Sequence, residues 1–239
     1  MSNKPHPTRS TESFYGRRKG NALYGRKQRV MDEDLPRLRL PVETEPGPQS
    51  VAEFFDNRFT RHQLEIGFGG GEHLTHQART HPDVGFIGVE PFINGMAKML
   101  GAIEDHSIEN VRLYDDDASR LLDWLPENSL DQIDLLYPDP WPKKRHWKRR
   151  FVNQPNLTRF VRVLKPGGLF RFASDIDTYV NWTLQQVERH GNFTWLAERA
   201  SDWKEPWEGW IRTRYEAKAI REDRVPCYLE FRLPPKKAA

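Results

Sequence analysis

Short apolar runs alternate with helically spaced apolar residues from residue 61 to residue 233. The runs have the length of buried strands, and the segments between them repeat apolar positions at intervals of three and four residues. This alternation predicts a mainly parallel α/β sheet with right-handed crossovers. Seven strands are predicted, at residues 63–66, 84–90, 111–114, 130–137, 169–173, 193–197 and 228–233. Five helices are predicted, one that begins at Glu72 and others at residues 92–103, 118–125, 151–164 and 176–190.

Residues 1–50 have few large apolar side chains and many cations. Glu12 is the only acid between residues 4 and 29, where the cations are Lys4, Arg9, Arg17, Arg18, Lys19, Arg26, Lys27 and Arg29. Such a segment buries too little surface to offset its ordering entropy, so we predict a flexible basic arm at 1–50 and one domain at 51–239. The arm is either an inert solubilising tail or a nucleic-acid contact, and Phe14, Tyr15 and Tyr24 favour the contact slightly.

The composition limits the classes of protein that the chain can belong to. Net charge is only +3, so any preference for nucleic acid must come from local clusters of cations. Cys227 is the only cysteine, which excludes an intrachain disulfide and a thiolate zinc site. The histidines lack metal-ligand spacing, so no metal is predicted. No run is apolar enough to span a membrane and the polar start is unlike a signal peptide, so a soluble cytoplasmic protein is expected.

A stiff acidic loop follows the strand predicted at 130–137. It reads Pro138-Asp139-Pro140-Trp141-Pro142, in which two prolines fix φ on either side of the acid and remove backbone donors. The cations from Lys143 to Arg150 follow, interleaved with His146 and Trp147, a pattern that suits phosphate contact and base stacking. The alternative is a proline-rich turn before a solvated basic helix. We favour an enzyme that handles a base, because open α/β sheets bind ligands at the carboxyl ends of strands.

The glycine-rich turn Glu65-x-Gly67-x-Gly69-x-Gly71 precedes the helix that begins at Glu72. A dinucleotide fingerprint requires glycine at the position of Glu72, which disfavours an NAD-dependent oxidoreductase. Glu65, Glu90 and Asp117 each lie at a strand's carboxyl end, although each alone is more typical of a surface or capping residue. Together they predict an acidic rim, on which Glu90 can accept from two ribose hydroxyls. Such a rim suits the ammonium and sulfonium of S-adenosylmethionine better than a pyrophosphate.

Five motifs in this order resemble the bacterial tRNA (guanine-N7)-methyltransferases. They extend from about residue 61 to 232 and comprise Leu64-Glu65-Ile66-Gly67-Phe68-Gly69-Gly70-Gly71, Gly88-Val89-Glu90, Asp117-Ala118, Pro138-Asp139-Pro140-Trp141-Pro142-Lys143-Lys144-Arg145-His146 and Thr213-Arg214-Tyr215-Glu216. The resemblance implies an α/β, Rossmann-like class I methyltransferase with a seven-stranded, mostly parallel sheet, helices on both faces and an antiparallel last strand. It also implies that S-adenosylmethionine methylates N7 of the guanine conventionally called position 46, in the variable loop of tRNA.

The resemblance further implies roles for individual residues. The family's cofactor contacts correspond to Glu65, Glu90, Asp117 and Asp139, beside the turn glycines Gly67 and Gly69. Its substrate contacts correspond to Lys143, Asp175, Thr213, Arg214, Tyr215 and Glu216. Its tRNA-binding segment corresponds to Arg145, His146, Lys148, Arg149 and Arg150. The implied partner is tRNA, with no membrane and no obligate protein partner, and the protein is expected as a monomer or homodimer.

Asp139 is the predicted catalytic residue. Guanine N7 carries a lone pair and no proton, so the carboxylate is predicted to stabilise the positive charge that methylation creates rather than to act as a base. It can also accept from the guanine N1–H and exocyclic amine, which selects guanine over adenine. A catalytically silent RNA-binding subunit is disfavoured, because both Asp139 and the acidic rim are present.

Three of these assignments have structural alternatives. Asp175 can cap the helix predicted at 176–190, contact substrate, or do both. Glu216 can contact substrate or pair with Lys218 or Arg214 at the surface. The polar segment between the last two predicted strands contains three tryptophans, Trp203, Trp207 and Trp210. They are predicted to form the packing of a small cap rather than to stack on bases.

Overall fold

A seven-stranded sheet forms the centre of the protein in a computed structural model, which describes residues 15–235. Its strands are β1 Arg61–Ile66, β2 Val84–Val89, β3 Val111–Tyr114, β4 Leu130–Leu136, β5 Leu164–Ser174, β6 Thr194–Trp195 and β7 Cys227–Arg232. The spatial order is β3-β2-β1-β4-β5-β7-β6. β7 is antiparallel to both of its neighbours, and the other pairings are parallel. The predicted mostly parallel sheet with an antiparallel last strand is therefore confirmed.

Helices cover both faces of this sheet. They are α1 Arg26–Glu33, α2 Leu35–Leu38, α3 Glu72–Thr80, α4 Ile93–His106, α5 Ala118–Trp124, α6 Gln154–Val163, α7 Asp177–His190, α8 Ser201–Lys204 and α9 Arg214–Arg221. Two 3₁₀ helices span Val51–Phe55 and Lys144–Arg149. Side chains alternate along each strand, so Phe86 joins a buried cluster with α1, α3 and α4, whereas Ile87 joins a cluster with α5, α6 and α7.

Element bounds mostly follow the apolar pattern, with shifts that have local causes. β3 spans the predicted residues and α3 begins at the predicted Glu72. α6 begins three residues later than the prediction, because the Asn153 side chain accepts from the backbone N–H of Asn156 and caps the helix there. β5 begins earlier than predicted, since Leu164 already pairs with Leu130 before a bulge interrupts the register.

The N-terminal segment differs from the prediction. Part of the predicted arm, 1–14, lies outside the described residues, as do residues 236–239. The remainder includes α1 and α2, and Val30, Leu35 and Leu40 are buried against the domain. Arg26 and Arg29 of α1 pair with Glu104 of α4 at 2.8 Å and 2.5 Å, a contact between residues far apart in sequence that the local pattern did not reveal. The flexibility of the arm stays a prediction.

The described helices include none that is both long and apolar enough to cross a membrane.

Candidate active site

A cleft of about 890 Å³ opens at the carboxyl ends of β1, β2 and β4. It lies where the strand order reverses between β1 and β4, the usual ligand position in open α/β sheets. The structure brings most of the predicted cofactor residues together on its wall, namely Gly67, Gly69, Glu90, Asp117 and Asp139. Apolar wall is supplied by Ile66, Phe92 and Leu135. The cleft can therefore take a ligand with both an apolar and a hydroxylated part.

Glu90 holds the glycine turn from the end of β2. Its Oε2 accepts from the Gly69 N–H at 2.7 Å and its Oε1 accepts from the Phe92 N–H at 2.9 Å. Burial raises the pKa of Glu90, and the negative charge of Asp139 contributes further in the same direction, against the two backbone hydrogen bonds. Each carboxylate oxygen keeps a second lone pair, so Glu90 can accept from ligand hydroxyls without releasing the turn.

Gly69 needs to be glycine for two reasons. Its φ is +59°, in the left-handed region, and a Cβ there would lie 3.2 Å from the Tyr215 ring. Helix α4 approaches the same turn closely, since a Cβ on Gly95 would lie 2.2 Å from the Gly69 carbonyl oxygen. The turn is thus packed from both sides, and its backbone faces the cleft.

Asp117 caps α5 at the third strand end. Its Oδ1 accepts from the Ser119 N–H at 3.0 Å and from the Ser119 hydroxyl at 2.9 Å, and both residues line the cleft. The prediction of a strand-end acid on the rim and the alternative of a capping residue are therefore both correct for this position.

Glu65 is placed differently from the prediction. It is absent from the cleft wall and buried, and its Oε2 lies 2.8 Å from His73 Nδ1. Burial lowers the pKa of His73, but the carboxylates of Glu65 and Asp134 outweigh this and raise it overall. The reason is the two-residue period of a strand: Ile66 faces the cleft, so the preceding side chain points to the opposite face.

Asp139 lies in a loop with two unusual backbone conformations. Tyr137 and Trp141 flank it with φ of +49° and +43°, values that non-glycine residues rarely adopt and that cluster at functional sites. The Asp139 side chain is exposed to the cleft, and no described residue donates a hydrogen bond to it. The cleft walls shield this carboxylate from part of the solvent, and this partial burial raises the pKa of Asp139. A carboxylate in this position is free to act on a ligand.

The cations after this loop do not share one environment. Lys143, Lys144 and Arg145 are exposed, and His146, whose pKa is lowered by burial and by its cationic neighbours, packs edge-on against Trp141. Lys148 and Arg149 line the cleft. The Arg149 guanidinium lies 4.9 Å from the ring centres of both Tyr15 and Trp141. Lys143 is not part of the cleft wall, so its predicted substrate contact needs a ligand that extends outside the cleft.

Arg150 corrects the sequence-based assignment. It was predicted to bind tRNA with the other cations of the run, but its side chain is fully buried. It donates to the Pro140 carbonyl at 3.0 Å and to the Thr178 carbonyl and hydroxyl at 2.6 Å and 3.0 Å. Arg150 borders the cleft, but a guanidinium enclosed in this way is unavailable to a phosphate.

The Thr213-Arg214-Tyr215-Glu216 motif forms the start of α9. Thr213 is the N-cap, since its hydroxyl accepts from the Glu216 N–H at 3.2 Å, and Arg214 and Tyr215 line the cleft. Glu216 is buried and accepts from Trp210 Nε1 at 2.8 Å and from the Tyr228 hydroxyl at 2.5 Å. The alternative in which Glu216 pairs with Lys218 or Arg214 is therefore wrong.

Asp175 and the tryptophans also have defined partners. Asp175 pairs with Arg224 at 2.5 Å and does not cap α7, whose N-cap is Ile176 and whose first amides donate to no side chain. Trp207 and Trp210 pack on Tyr228 with ring centres 5.9 Å and 5.4 Å away, which confirms that they pack a cap.

The sequence reasoning missed the residues before α1 as part of the cleft. Tyr15, Gly16 and Arg17 line it, held nearby by the Ile93 N–H, which donates to the Arg18 carbonyl at 3.0 Å. This segment is aromatic and basic, but nothing in the local sequence indicates what it packs against.

Comparison with known proteins agrees with this geometry. A family model described as "Putative methyltransferase" matches residues 60–227. A tRNA (guanine-N(7)-)-methyltransferase of Rhizobium meliloti is 61% identical over 94% of this chain and 96% of its own length. The chain belongs to the tRNA (guanine-N7)-methyltransferase family. Its relative from Chelativorans sp., with the same name, is 58% identical over 95% of this chain and 97% of its own length.

A solved structure of the same fold belongs to a 16S rRNA methyltransferase, KamB. It has a TM-score of 0.54 and 16% identity, and the match covers 79% of this chain and 96% of that chain. At this identity the likeness shows the fold alone, so the substrate must be argued from the site and from the family's close relatives.

Proposed function

We propose that this methyltransferase transfers a methyl group from S-adenosylmethionine to N7 of guanine 46 in the variable loop of tRNA. The observation that carries the proposal is the unpaired Asp139 carboxylate at the rim of the Glu90–Asp117 cleft, directly before the exposed cations that begin at Lys143. The close relatives bear the name of this activity over nearly the whole chain. A tRNA substrate also favours a cytoplasmic location.

The cleft residues fit the cofactor chemically. S-adenosylmethionine offers two ribose hydroxyls, which suit the free lone pairs of Glu90, and a positive charge at sulfur, which suits the acidic rim. The left-handed backbone at Gly69 lets the chain approach such a ligand without a side chain between them. Ile66, Phe92 and Leu135 give the apolar wall that a purine base needs.

The chain's contribution to the chemistry is electrostatic and positional. S-adenosylmethionine supplies an electrophilic methyl group, and guanine N7 needs no deprotonation before it attacks. Asp139 would stabilise the positive purine and accept from the guanine N1–H and amine. The stiff loop around Asp139 would hold that charge in place, so little reorganisation is needed during the reaction.

Incubation with unmodified tRNA and labelled cofactor, followed by mapping of the modified base, tests the proposal. We expect label on N7 of guanine 46, and none in a tRNA whose position 46 is adenosine. Label at another guanine would contradict the position, and binding of tRNA without any transfer would indicate the silent RNA-binding subunit instead.

We expect Glu90→Ala to weaken binding of S-adenosylmethionine by about 1–3 kcal/mol, since buried hydroxyls would lose their acceptor. Isothermal calorimetry measures this directly, without tRNA. The pH of the titration should stay above neutrality, because burial raises the pKa of Glu90. Unchanged affinity would remove Glu90 from the cofactor site.

The cations of the run that keep accessible surface, including the half-buried Arg149, should act through phosphates. Arg149→Ala is expected to lower the slope of log affinity for tRNA against log salt by up to about 0.9, the loss of one phosphate contact. Arg61→Ala is the matched control, since Arg61 is an exposed arginine that pairs with Asp83 at the amino ends of β1 and β2, away from the cleft. Identical slopes for the two variants would show that Arg149 contacts no phosphate.

The basic segment ahead of α1 is proposed as a second tRNA contact, which truncation and the same titration would test.

A further inference from the structure

Arg150 occupies an aromatic enclosure rather than the protein surface. Its guanidinium carbon lies 4.5 Å, 4.8 Å and 5.7 Å from the ring centres of Trp147, Tyr179 and Trp182. Moving a cation out of water into such a place is unfavourable unless its donors are used and its charge is stabilised. The three rings stabilise the charge through their faces, and Pro140 and Thr178 take the donors.

The bond to Pro140 connects this buried cation to the loop that carries Asp139. Pro138, Pro140 and Pro142 lack backbone N–H groups, so the loop has few donors with which to hold itself. Its carbonyls are held from outside, by Arg150 Nε at Pro140 and by Trp147 Nε1 at Pro142, at 3.0 Å and 3.4 Å. Arg150 also donates a hydrogen bond to the carbonyl of Thr178, the second residue of α7. It therefore connects the loop to a packed helix.

Lysine could not make the same set of contacts. The planar guanidinium donates in fixed directions to carbonyls on two different elements while its faces stack on rings. An ammonium has neither the planar faces nor the reach to both sides. The site therefore requires the planar shape of the arginine side chain as well as its positive charge.

We propose that Arg150 is a positioning residue, which fixes Asp139 at the reaction centre by holding the Pro140 carbonyl against α7. The inference rests on the proposed methyl transfer. It differs from a tRNA-binding role, in which Arg150 would affect affinity and salt dependence. It also differs from a purely structural role, in which only stability would change.

Arg150→Ala should lower the single-turnover methylation rate at saturating tRNA and cofactor by about 10- to 100-fold, the loss expected when a reacting group is misplaced by about 1 Å. Binding of tRNA and its salt slope should match wild type. Because the variant leaves a guanidinium-shaped space between three rings, low millimolar guanidinium should raise its rate several-fold. Arg150→Lys, which keeps the charge, is expected to fold and still to lose rate, so it replaces Arg150→Ala if that variant does not fold.

Arg162→Ala is the matched control. Arg162 of α6 is a partly buried arginine that also donates to backbone carbonyls, those of Leu122 and Leu125, but it does not line the cleft. Its loss should lower the melting temperature while the single-turnover rate below that temperature, and the response to guanidinium, stay as in wild type.

Hydrogen exchange separates this inference from the proposed function. In Arg150→Ala, amides of residues 139–149 should exchange faster while those of β4 keep wild-type rates, whether or not the protein methylates tRNA. A loop that exchanges as in wild type would overturn the inference. An intact single-turnover rate together with a reduced salt slope for tRNA binding would also overturn it. So would a loss of rate that guanidinium does not restore and that is no larger than the fraction of unfolded protein explains.

Discussion

Asp139→Asn should lower the single-turnover rate of tRNA methylation by about 10²- to 10³-fold, as for the loss of one electrostatic stabiliser. The substitution keeps the shape of the side chain and removes its charge at the point where the purine becomes positive. Folding should be unaffected, because the carboxylate is exposed and accepts no hydrogen bond from the described residues. Binding of tRNA should also persist, since phosphate contacts dominate its affinity.

The pH dependence gives an independent test of the same charge. Burial raises the pKa of Asp139. As the pH falls, this carboxylate therefore takes up a proton at a higher pH than a solvated aspartate does. The wild-type rate should therefore decline on the acid side, and this decline should be smaller in Asp139→Asn, in which Glu90 still titrates with a raised pKa.

The control for this prediction is Asp83→Asn, which removes an exposed carboxylate that pairs with Arg61 at the amino ends of β1 and β2, away from the cleft. Its rate should match wild type. An Asp139→Asn rate within about threefold of wild type, well under 1 kcal/mol in barrier, would move the chemistry to another group on the rim.

Most of the sheet was predictable because its signals are local. β3 and the start of α3 were placed correctly from apolar runs and from the glycine turn alone. α1 was missed, since its sequence Arg26–Glu33 buries only Val30 and its cations pair with Glu104 and Asp105 of α4. A helix held by partners more than 70 residues away carries too little local pattern to be recognised.

The sequence predicted which strand ends carry the residues of the site, but not the direction in which each side chain points. Glu90 and Asp117 were placed correctly on the cleft wall from their positions after β2 and β3. Glu65 precedes Ile66 within β1, and the period of two already indicates that these side chains face opposite ways. The prediction for Glu65 used only its position near the end of the strand and not this period.

Arg150 illustrates what no local pattern could have shown. Within the run from Lys143 to Arg150 the cations are alike in sequence, yet Arg149 keeps part of its surface exposed and Arg150, which also borders the cleft, is fully buried. Thr178 and Trp182, which make the difference, lie about one helix and one strand further along the chain. Burial within a charged run is decided by tertiary packing, which propensity does not report.

Glu216→Leu should lower the free energy of unfolding by about 3 kcal/mol, because two buried donors would lose their acceptor at once. The side chain of Glu216 accepts from the Trp210 indole N–H and the Tyr228 hydroxyl, and so joins α9 to the segment that carries Trp210 and to β7. Leucine fills similar space without accepting either bond. Urea denaturation measures the loss, and Glu216→Gln, which keeps one carbonyl oxygen, should lie between Glu216→Leu and wild type.

The same substitution decides between two roles for Glu216. The resemblance implies a substrate contact, whereas the structure buries the side chain against Trp210 and Tyr228, in the same helix turn as Arg214 and Tyr215 of the cleft wall. If Glu216 only holds that pair in place, Glu216→Leu loses stability and methylation together, and the control Glu222→Leu, an exposed position at the end of α9, changes stability by no more than about 0.5 kcal/mol. A Glu216→Leu protein as stable as wild type but with weakened tRNA binding would contradict the buried role and restore the direct contact.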